Sequence, residues 1–97
     1  MAWVYILECA DGSFYTGFTP NLEARLIEHE RGERIKYTVN RRPVNLVFSS
    51  ETPDTNSAFR LERQIKGWRR EKKLALIRGD YQALVELSKA RSCTRTP

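Results

Sequence analysis

Arg25 and His29 stand four residues apart in the segment NLEARLIEHERG, and both side chains are of types used in acid–base and phosphate chemistry. On a helix this spacing places them at the border of the apolar stripe formed by Leu22 and Leu26. A lone histidine beside such a stripe is more often a satisfied packing residue, and an arginine stem can lie along a core. The pair therefore indicates either a packed helix edge or half of an active site.

An acidic residue occupies the apolar face of a later predicted helix. Ala58 and Ile65 define that face, and Glu62 falls on it at helical spacing. A buried carboxylate is costly unless it has a partner. We expect Glu62 to pair with a hydroxyl group, a metal ion or an arginine. A buried salt bridge to Arg25 is the structural alternative to a functional site.

Two tyrosines fall on neighbouring strands of a predicted hairpin. Asp11 and Gly12 supply the turn, and Tyr5 and Tyr15 share one face of the hairpin if the register pairs them. An aromatic cross-strand pair in the core is the alternative. Hydrolysis of a phosphodiester needs a base for water, a cation for the phosphorane and a metal for the leaving oxygen. The tyrosines, with the arginine, histidine and glutamate above, provide a candidate for each need.

The elements that must position these residues follow the order strand, strand, helix, strand, helix, helix, helix. This order predicts an α+β fold, a small three-stranded, mostly antiparallel sheet flanked by helices. In the first helix Thr19 is the expected N-cap, Pro20 the first helical residue and Gly32 the end. The predicted strands are residues 3–9, 14–18 and 44–49, and the later helices are 57–68, 70–77 ending at Gly79, and one capped by Asp80 through Leu87.

Length and charge set the domain organisation and the class of partner. The 97 residues predict one domain over residues 1–88, followed by a basic, disordered tail over 89–97. The net charge is +5, and the basic residues cluster in two stretches, 31–42 and 60–73, which favours a polyanion over a purely solvated surface. The candidate nucleic-acid-binding residues are Lys36, Arg41, Arg42, Lys66 and Arg69.

Cysteine usage and the amino-terminal sequence bear on the compartment. Cys9 and Cys93 have neither the number nor the spacing of a disulfide framework or a zinc site, so both are expected to be reduced. The segment MAWVYILECA has no basic leader, and its apolar run is shorter than a membrane span. These features predict a cytoplasmic protein.

In the order and spacing of its tyrosines, arginine, histidine and glutamate, the sequence resembles the GIY-YIG nuclease family over residues 3 to about 80. The resemblance is greatest to the small stand-alone bacterial members. The resemblance implies a single Mg²⁺ or Mn²⁺ held by Glu62, with one of the two tyrosines taking a proton from water. Which tyrosine does so stays open. The matching residues are Trp3-Val4-Tyr5, Tyr15-Thr16-Gly17, Arg25, which would stabilise the transition-state charge, His29, which would orient or assist, and Glu62.

The chain departs from the family pattern at three positions. Trp3 replaces the glycine of the first motif and Thr16 the isoleucine of the second, and neither change touches a reactive group. Phe18 stands where the excision-repair branch tends to have a lysine, a role that Lys36 or His29 could take. The resemblance thus predicts a metal-dependent endonuclease or a structure-selective phosphodiesterase that acts on DNA, or else RNA, in repair or recombination. A non-catalytic nucleic-acid-binding module and a protein-interaction domain are the alternatives.

Overall fold

The computed structural model describes residues 1–32, 38 and 40–86. These residues fall into two compact units, the first being Met1–Lys66 and the second beginning at Gly67. The first unit contains the strands β1 (Ala2–Glu8), β2 (Phe14–Thr19) and β3 (Asn45–Thr52) and the helices α1 (Leu22–Arg31) and α2 (Thr55–Lys66).

The sheet is antiparallel with the strand order β2-β1-β3, so the predicted α+β fold is confirmed. The turn chemistry of the first hairpin is also as predicted, because Gly12 has a φ of 84°. In the register of β1 and β2, Tyr5 lies opposite Gly17, and Leu7 lies opposite Tyr15. Residues two apart on a strand share a face, so Tyr5 and Tyr15 lie diagonally on the same face.

The start of α1 differs from the prediction by two residues. Asn21 is the N-cap, and its side chain accepts a hydrogen bond from the backbone N–H of Ala24 at 3.1 Å. Thr19 cannot serve because it is the last residue of β2, where it pairs with Trp3. Its hydroxyl instead bonds the backbone of Asn21. The predicted end of the helix is confirmed, since Gly32 closes it with a φ of 72°.

The centre of the first unit is formed by β1, which is buried almost throughout. Helix α2 packs against β1 and β2 through a face that includes Ala58, Glu62 and Ile65. The predicted bounds of this helix, 57–68, were two residues too late at both ends, and β3 is longer than predicted. The burial of Glu62 on the packed face agrees with its predicted position.

The second unit contains α3 (Arg70–Arg78), which ends at Gly79 with a φ of 71°, as predicted. Residues 81–86 are also helical, and the side chain of Asp80 accepts a hydrogen bond from the N–H of Ala83 at 3.1 Å. The predicted end of this helix at Leu87, and the tail over 89–97, lie outside the described residues. None of the helices that the described residues form has the length and apolar character of a membrane span.

Candidate active site

A glycine makes room for the first tyrosine on the shared face of β1 and β2. A Cβ atom on Gly17 would lie 2.6 Å from the hydroxyl oxygen of Tyr5 and 3.0 Å from Cε2 of Tyr15. The first distance is shorter than real Cβ contacts and the second is tighter than most, so a side chain at this position would push against both rings. The ring centroids of the two tyrosines are 6.2 Å apart. The glycine of the second motif therefore has a steric role in holding both tyrosines on this face.

Helix α1 brings His29 to the two tyrosines. His29 is fully buried, and its Nε2 atom lies 2.9 Å from the hydroxyl of Tyr5. Its ring centroid is 5.7 Å from that of Tyr5 and 5.3 Å from that of Tyr15, with edge-on geometry in both cases. The other ring nitrogen, Nδ1, lies 2.9 Å from the hydroxyl of the buried Thr38. His29 is thus held at both nitrogens.

The electrostatic surroundings keep this cluster neutral. Burial lowers the pKa of His29 below its usual value, and the positive charge of Arg25 lowers it further. Burial also raises the pKa of Tyr5, as does Tyr15, whereas Arg25 acts in the opposite direction. A neutral imidazole has one donor and one acceptor nitrogen. The hydroxyl of Tyr5 can therefore donate to Nε2 in one tautomer of His29 or accept from Nε2 in the other.

Arg25 is oriented by an acid of its own helix. Its Nε atom donates to Oε1 of Glu28 at 3.1 Å, and both side chains are only about a fifth exposed. The spacing of three residues is one at which oppositely charged side chains meet on a helix. The contact orients the guanidinium, whose positive charge lowers the pKa of Tyr5 against the larger effect of burial.

The partner of Glu62 is Lys66 and not Arg25, the partner expected if Glu62 had a purely structural role. The Nζ atom of Lys66 lies 3.1 Å from Oε1 of Glu62, one helical turn away, while Arg25 pairs with Glu28. The alternative of a Glu62–Arg25 salt bridge is therefore wrong. This salt bridge does not form because Glu62 and Arg25 each pair with an oppositely charged residue about one turn away in their own helix.

Lys66 connects Glu62 to the tyrosine cluster. Its ammonium group lies 5.8 Å from the centroid of the Tyr15 ring, within the range of a cation–π contact. A cationic side chain therefore lies beside Tyr15, and it belongs to α2 rather than to position 18 of β2. Phe18 instead packs edge-on against Phe59, with ring centroids 5.6 Å apart.

The chemistry of Glu62 suits a magnesium-like cation that is shared with a substrate. Its carboxylate supplies the hard oxygen that Mg²⁺ and Mn²⁺ prefer. Within residues 1–32, 38 and 40–86, no group of three or more His, Cys, Asp or Glu side chains could hold a metal ion. Mg²⁺ commonly binds through one or two carboxylates, with waters and substrate phosphates completing its shell. One buried carboxylate fits that pattern.

The predicted nucleic-acid-binding residues lie in several settings. Arg41 pairs with Asp11 at 3.1 Å, and Arg42 donates to the backbone carbonyl of Glu30 at 3.1 Å. Both arginines therefore connect the segment before β3 to other parts of the first unit. Lys66 and Arg69 are exposed. Lys36 lies outside the described residues.

Glu28 and Thr38 were not among the predicted site residues, and Lys66 was predicted only as a nucleic-acid-binding residue. Glu28 and the Glu62–Lys66 contact could have been found, because spacings of three and four residues join opposite charges on a helix. Thr38 could not, because it lies nine residues after His29, beyond the end of α1, and belongs to no periodic pattern.

Tyr5, Tyr15, His29 and Arg25 therefore form one cluster between the sheet and α1, and Glu62 is linked to it through Lys66. This is the architecture of a small α+β domain with a tyrosine–histidine–arginine centre. The family profile of the GIY-YIG catalytic domain matches residues 1–75. The chain belongs to the GIY-YIG family, which is a family of nucleases.

Individual relatives agree with this assignment. The chain is 45% identical over 76 residues to UPF0213 proteins of the Staphylococcus aureus strains Mu3 and Mu50, covering 78% of this chain and 93% of each relative. It is also similar to the solution NMR structure of a UPF0213 protein from Bacillus halodurans. That match has a TM-score of 0.54 and 40% identity, and covers 91% of this chain and 98% of the other. These relatives are small proteins built around the same domain.

Proposed function

We propose that the protein is a divalent-metal-dependent endonuclease that hydrolyses phosphodiester bonds in DNA, with a role in repair. The observation that carries the proposal is the hydrogen bond between Tyr5 and His29 within a GIY-YIG fold. A buried pair of neutral, proton-carrying groups beside an oriented arginine is suited to moving a proton next to a developing negative charge.

The residues divide the work in the following way. The guanidinium of Arg25 stabilises the charge that develops on the phosphorane oxygens. His29, held at Nδ1 by Thr38, exchanges a proton with the hydroxyl of Tyr5 through Nε2. Glu62 would hold a divalent cation, and the charge of that cation would stabilise the leaving oxygen. GIY-YIG nucleases generally depend on such an ion.

Two observations bear on which tyrosine takes the proton from water. Tyr15 is half-buried, so water can reach it, whereas Tyr5 is fully buried. Tyr5, however, is the tyrosine that is bonded to His29 and can pass a proton on. Loss of cleavage in Tyr15→Phe alone would assign direct contact with water to Tyr15. Equal loss in Tyr5→Phe would make both hydroxyls necessary.

The decisive experiment is incubation of the pure protein with single-stranded, duplex, flapped and branched DNA, and with RNA of the same sequences, in Mg²⁺ or Mn²⁺. We expect cleavage by the wild type and none by Glu62→Gln. The mutant should stay folded, because its former partner Lys66 is 53% exposed and can turn to solvent. Cleavage that survives in Glu62→Gln would refute the role of this residue.

A second candidate function is that of a nucleic-acid-binding module without catalysis. It is favoured by the contact between Lys66 and Glu62, because an ammonium group at 3.1 Å already neutralises the carboxylate. Binding of nucleic acid that is unaffected by Mg²⁺, together with no cleavage of any substrate form, would support this function. Metal-dependent cleavage would exclude it.

A further inference from the structure

The ion pair between Glu62 and Lys66 is asymmetric. The side chain of Glu62 is 7% exposed, whereas that of Lys66 is 53% exposed, and both belong to α2. The buried carboxylate has little freedom to move, but the lysine stem is flexible and its ammonium group faces solvent on one side. The ammonium group can therefore leave the carboxylate without any change in the fold.

Lys66 and a divalent cation would also compete for one atom of Glu62. Oε1 of Glu62, which lies 3.1 Å from the ammonium nitrogen, belongs to the carboxylate that a divalent cation needs. Two cations cannot share this small, buried group without repulsion. Any divalent cation that binds Glu62 must therefore displace Lys66 or bind against its charge.

We propose that Lys66 is an internal counter-ion that weakens divalent-cation binding at Glu62 until a phosphate of the nucleic acid draws the ammonium group away. Metal binding and substrate binding then reinforce each other. Lys66 is a positioning residue in this scheme, since it acts through Glu62. The proposal rests on the proposed function, because it requires the cation to bind at Glu62.

The charges of α2 favour a phosphate as the group that draws Lys66 away. Arg60, Arg63 and Lys66 are all exposed on this helix, and its only acid, Glu62, is buried. A polyanion that approaches α2 therefore meets three exposed positive charges on the helix itself, and the exposed Asp54 lies just before its first residue. Lysine binds phosphate readily as a point charge. The same phosphate can complete the shell of the cation.

The test is a titration of Mn²⁺ into the wild type and Lys66→Met, read as heat of binding and as the signal of free Mn²⁺ in electron paramagnetic resonance. Arg63→Met is the matched control, because it removes one exposed positive charge from the same helix without touching Glu62. The nearest aromatic contact of Arg63 is the Phe59 ring, at 5.5 Å. Lys66→Arg keeps the positive charge, and a thermal melt of each variant verifies folding.

We expect Lys66→Met to bind Mn²⁺ about fivefold more tightly than the wild type, which is the change for an ion pair worth about 1 kcal/mol. Arg63→Met and Lys66→Arg should stay near the wild type. The titrations are repeated with a cleavage-resistant phosphorothioate DNA oligonucleotide, whose own Mn²⁺ binding is subtracted. The oligonucleotide should tighten Mn²⁺ binding in the wild type more than in Lys66→Met.

Two results would count against the proposal, and they differ. If Glu62→Gln abolishes Mn²⁺ binding but Lys66→Met binds no more tightly than Arg63→Met, the counter-ion role is wrong and the proposed function stands. If Mn²⁺ binds equally well to Glu62→Gln, or to no variant with or without DNA, the cation site itself is wrong. The proposed function then fails together with the counter-ion role.

Discussion

Gly17→Ala should destabilise the protein by forcing Tyr5 away from His29. The new Cβ atom would lie 2.6 Å from Oη and 2.7 Å from Cζ of Tyr5, whereas carbon contacts settle near about 3.5–4.0 Å. The ring must therefore retreat by roughly 1 Å. Tyr5 is fully buried, so this movement strains the core and stretches its 2.9 Å hydrogen bond to His29.

The magnitude follows from three contributions. Overpacking a core costs about 1–3 kcal/mol, and loss of a hydrogen bond costs about 0.5–1.5 kcal/mol. Replacing a strand glycine with alanine returns about 0.5–1 kcal/mol, because alanine loses less backbone entropy on folding. The net loss in the free energy of unfolding is about 2 kcal/mol, which lowers the melting temperature on the order of 10 °C for a domain of this size.

Urea denaturation of Gly17→Ala, Tyr5→Phe and the double mutant measures this effect. Tyr5→Phe removes the hydroxyl contact and the hydrogen bond to His29 but keeps the ring carbon at 2.7 Å, so Gly17→Ala should cost about 1 kcal/mol less in that background, through the bond already lost. Gly79→Ala is the control: its Cβ meets nothing within 4 Å, and its cost, which comes from a φ of 71°, should be the same in both backgrounds. Wild-type stability of Gly17→Ala, or an equal cost in both backgrounds, would refute the reasoning.

Three further predictions concern buried polar groups and a helix cap. Thr16→Val should raise the free energy of unfolding on the order of 1 kcal/mol in urea denaturation, because Thr16 Oγ1 is buried and has no hydrogen-bond partner among the described residues. Thr52→Val, which loses a 2.9 Å bond to a backbone carbonyl, should lower it. Because the folded pKa of His29 is depressed, its contribution to stability is complete above the unfolded value of about 6.5 and is lost as the pH falls through the folded pKa. Melting temperatures between pH 7.5 and 5 should therefore fall more steeply in the wild type than in His29→Gln, and equal slopes would contradict the assignment. Asn21→Ala should cost about 1 kcal/mol in a thermal melt, whereas no loss would show that the cap is not stabilising.

The departures from the family pattern have different consequences in this chain. Phe18 contacts Phe59 and leaves the position near Tyr15 to a cation from α2, Lys66. Thr16 pairs with Ile6 in the sheet, yet its buried hydroxyl has no hydrogen-bond partner within residues 1–32, 38 and 40–86. The departure at Thr16 is therefore a cost in stability, and no contact of the described residues gives the hydroxyl a function.

Much of the fold could be read from local sequence signals. Glycine adopts positive φ angles at low cost, and this preference accounts for the turn at Asp11 and Gly12. It also accounts for the helix ends at Gly32 and Gly79. The shared face of Tyr5 and Tyr15 follows from the two-residue period of a strand. Burial of Glu62 follows from the period of a helix. Each of these depends only on residues close in the chain.

The tertiary structure decided which side chains meet. Periodicity places a residue on a face but does not give a distance to a residue in another element, so the contact of His29 with Thr38 had no signal in the sequence. It also moved the helix cap from the predicted Thr19 to Asn21, because β2 extends to Thr19. Helical spacing offered Lys66 as a partner for Glu62, but only the structure shows that this contact forms and that Arg25 pairs with Glu28 instead.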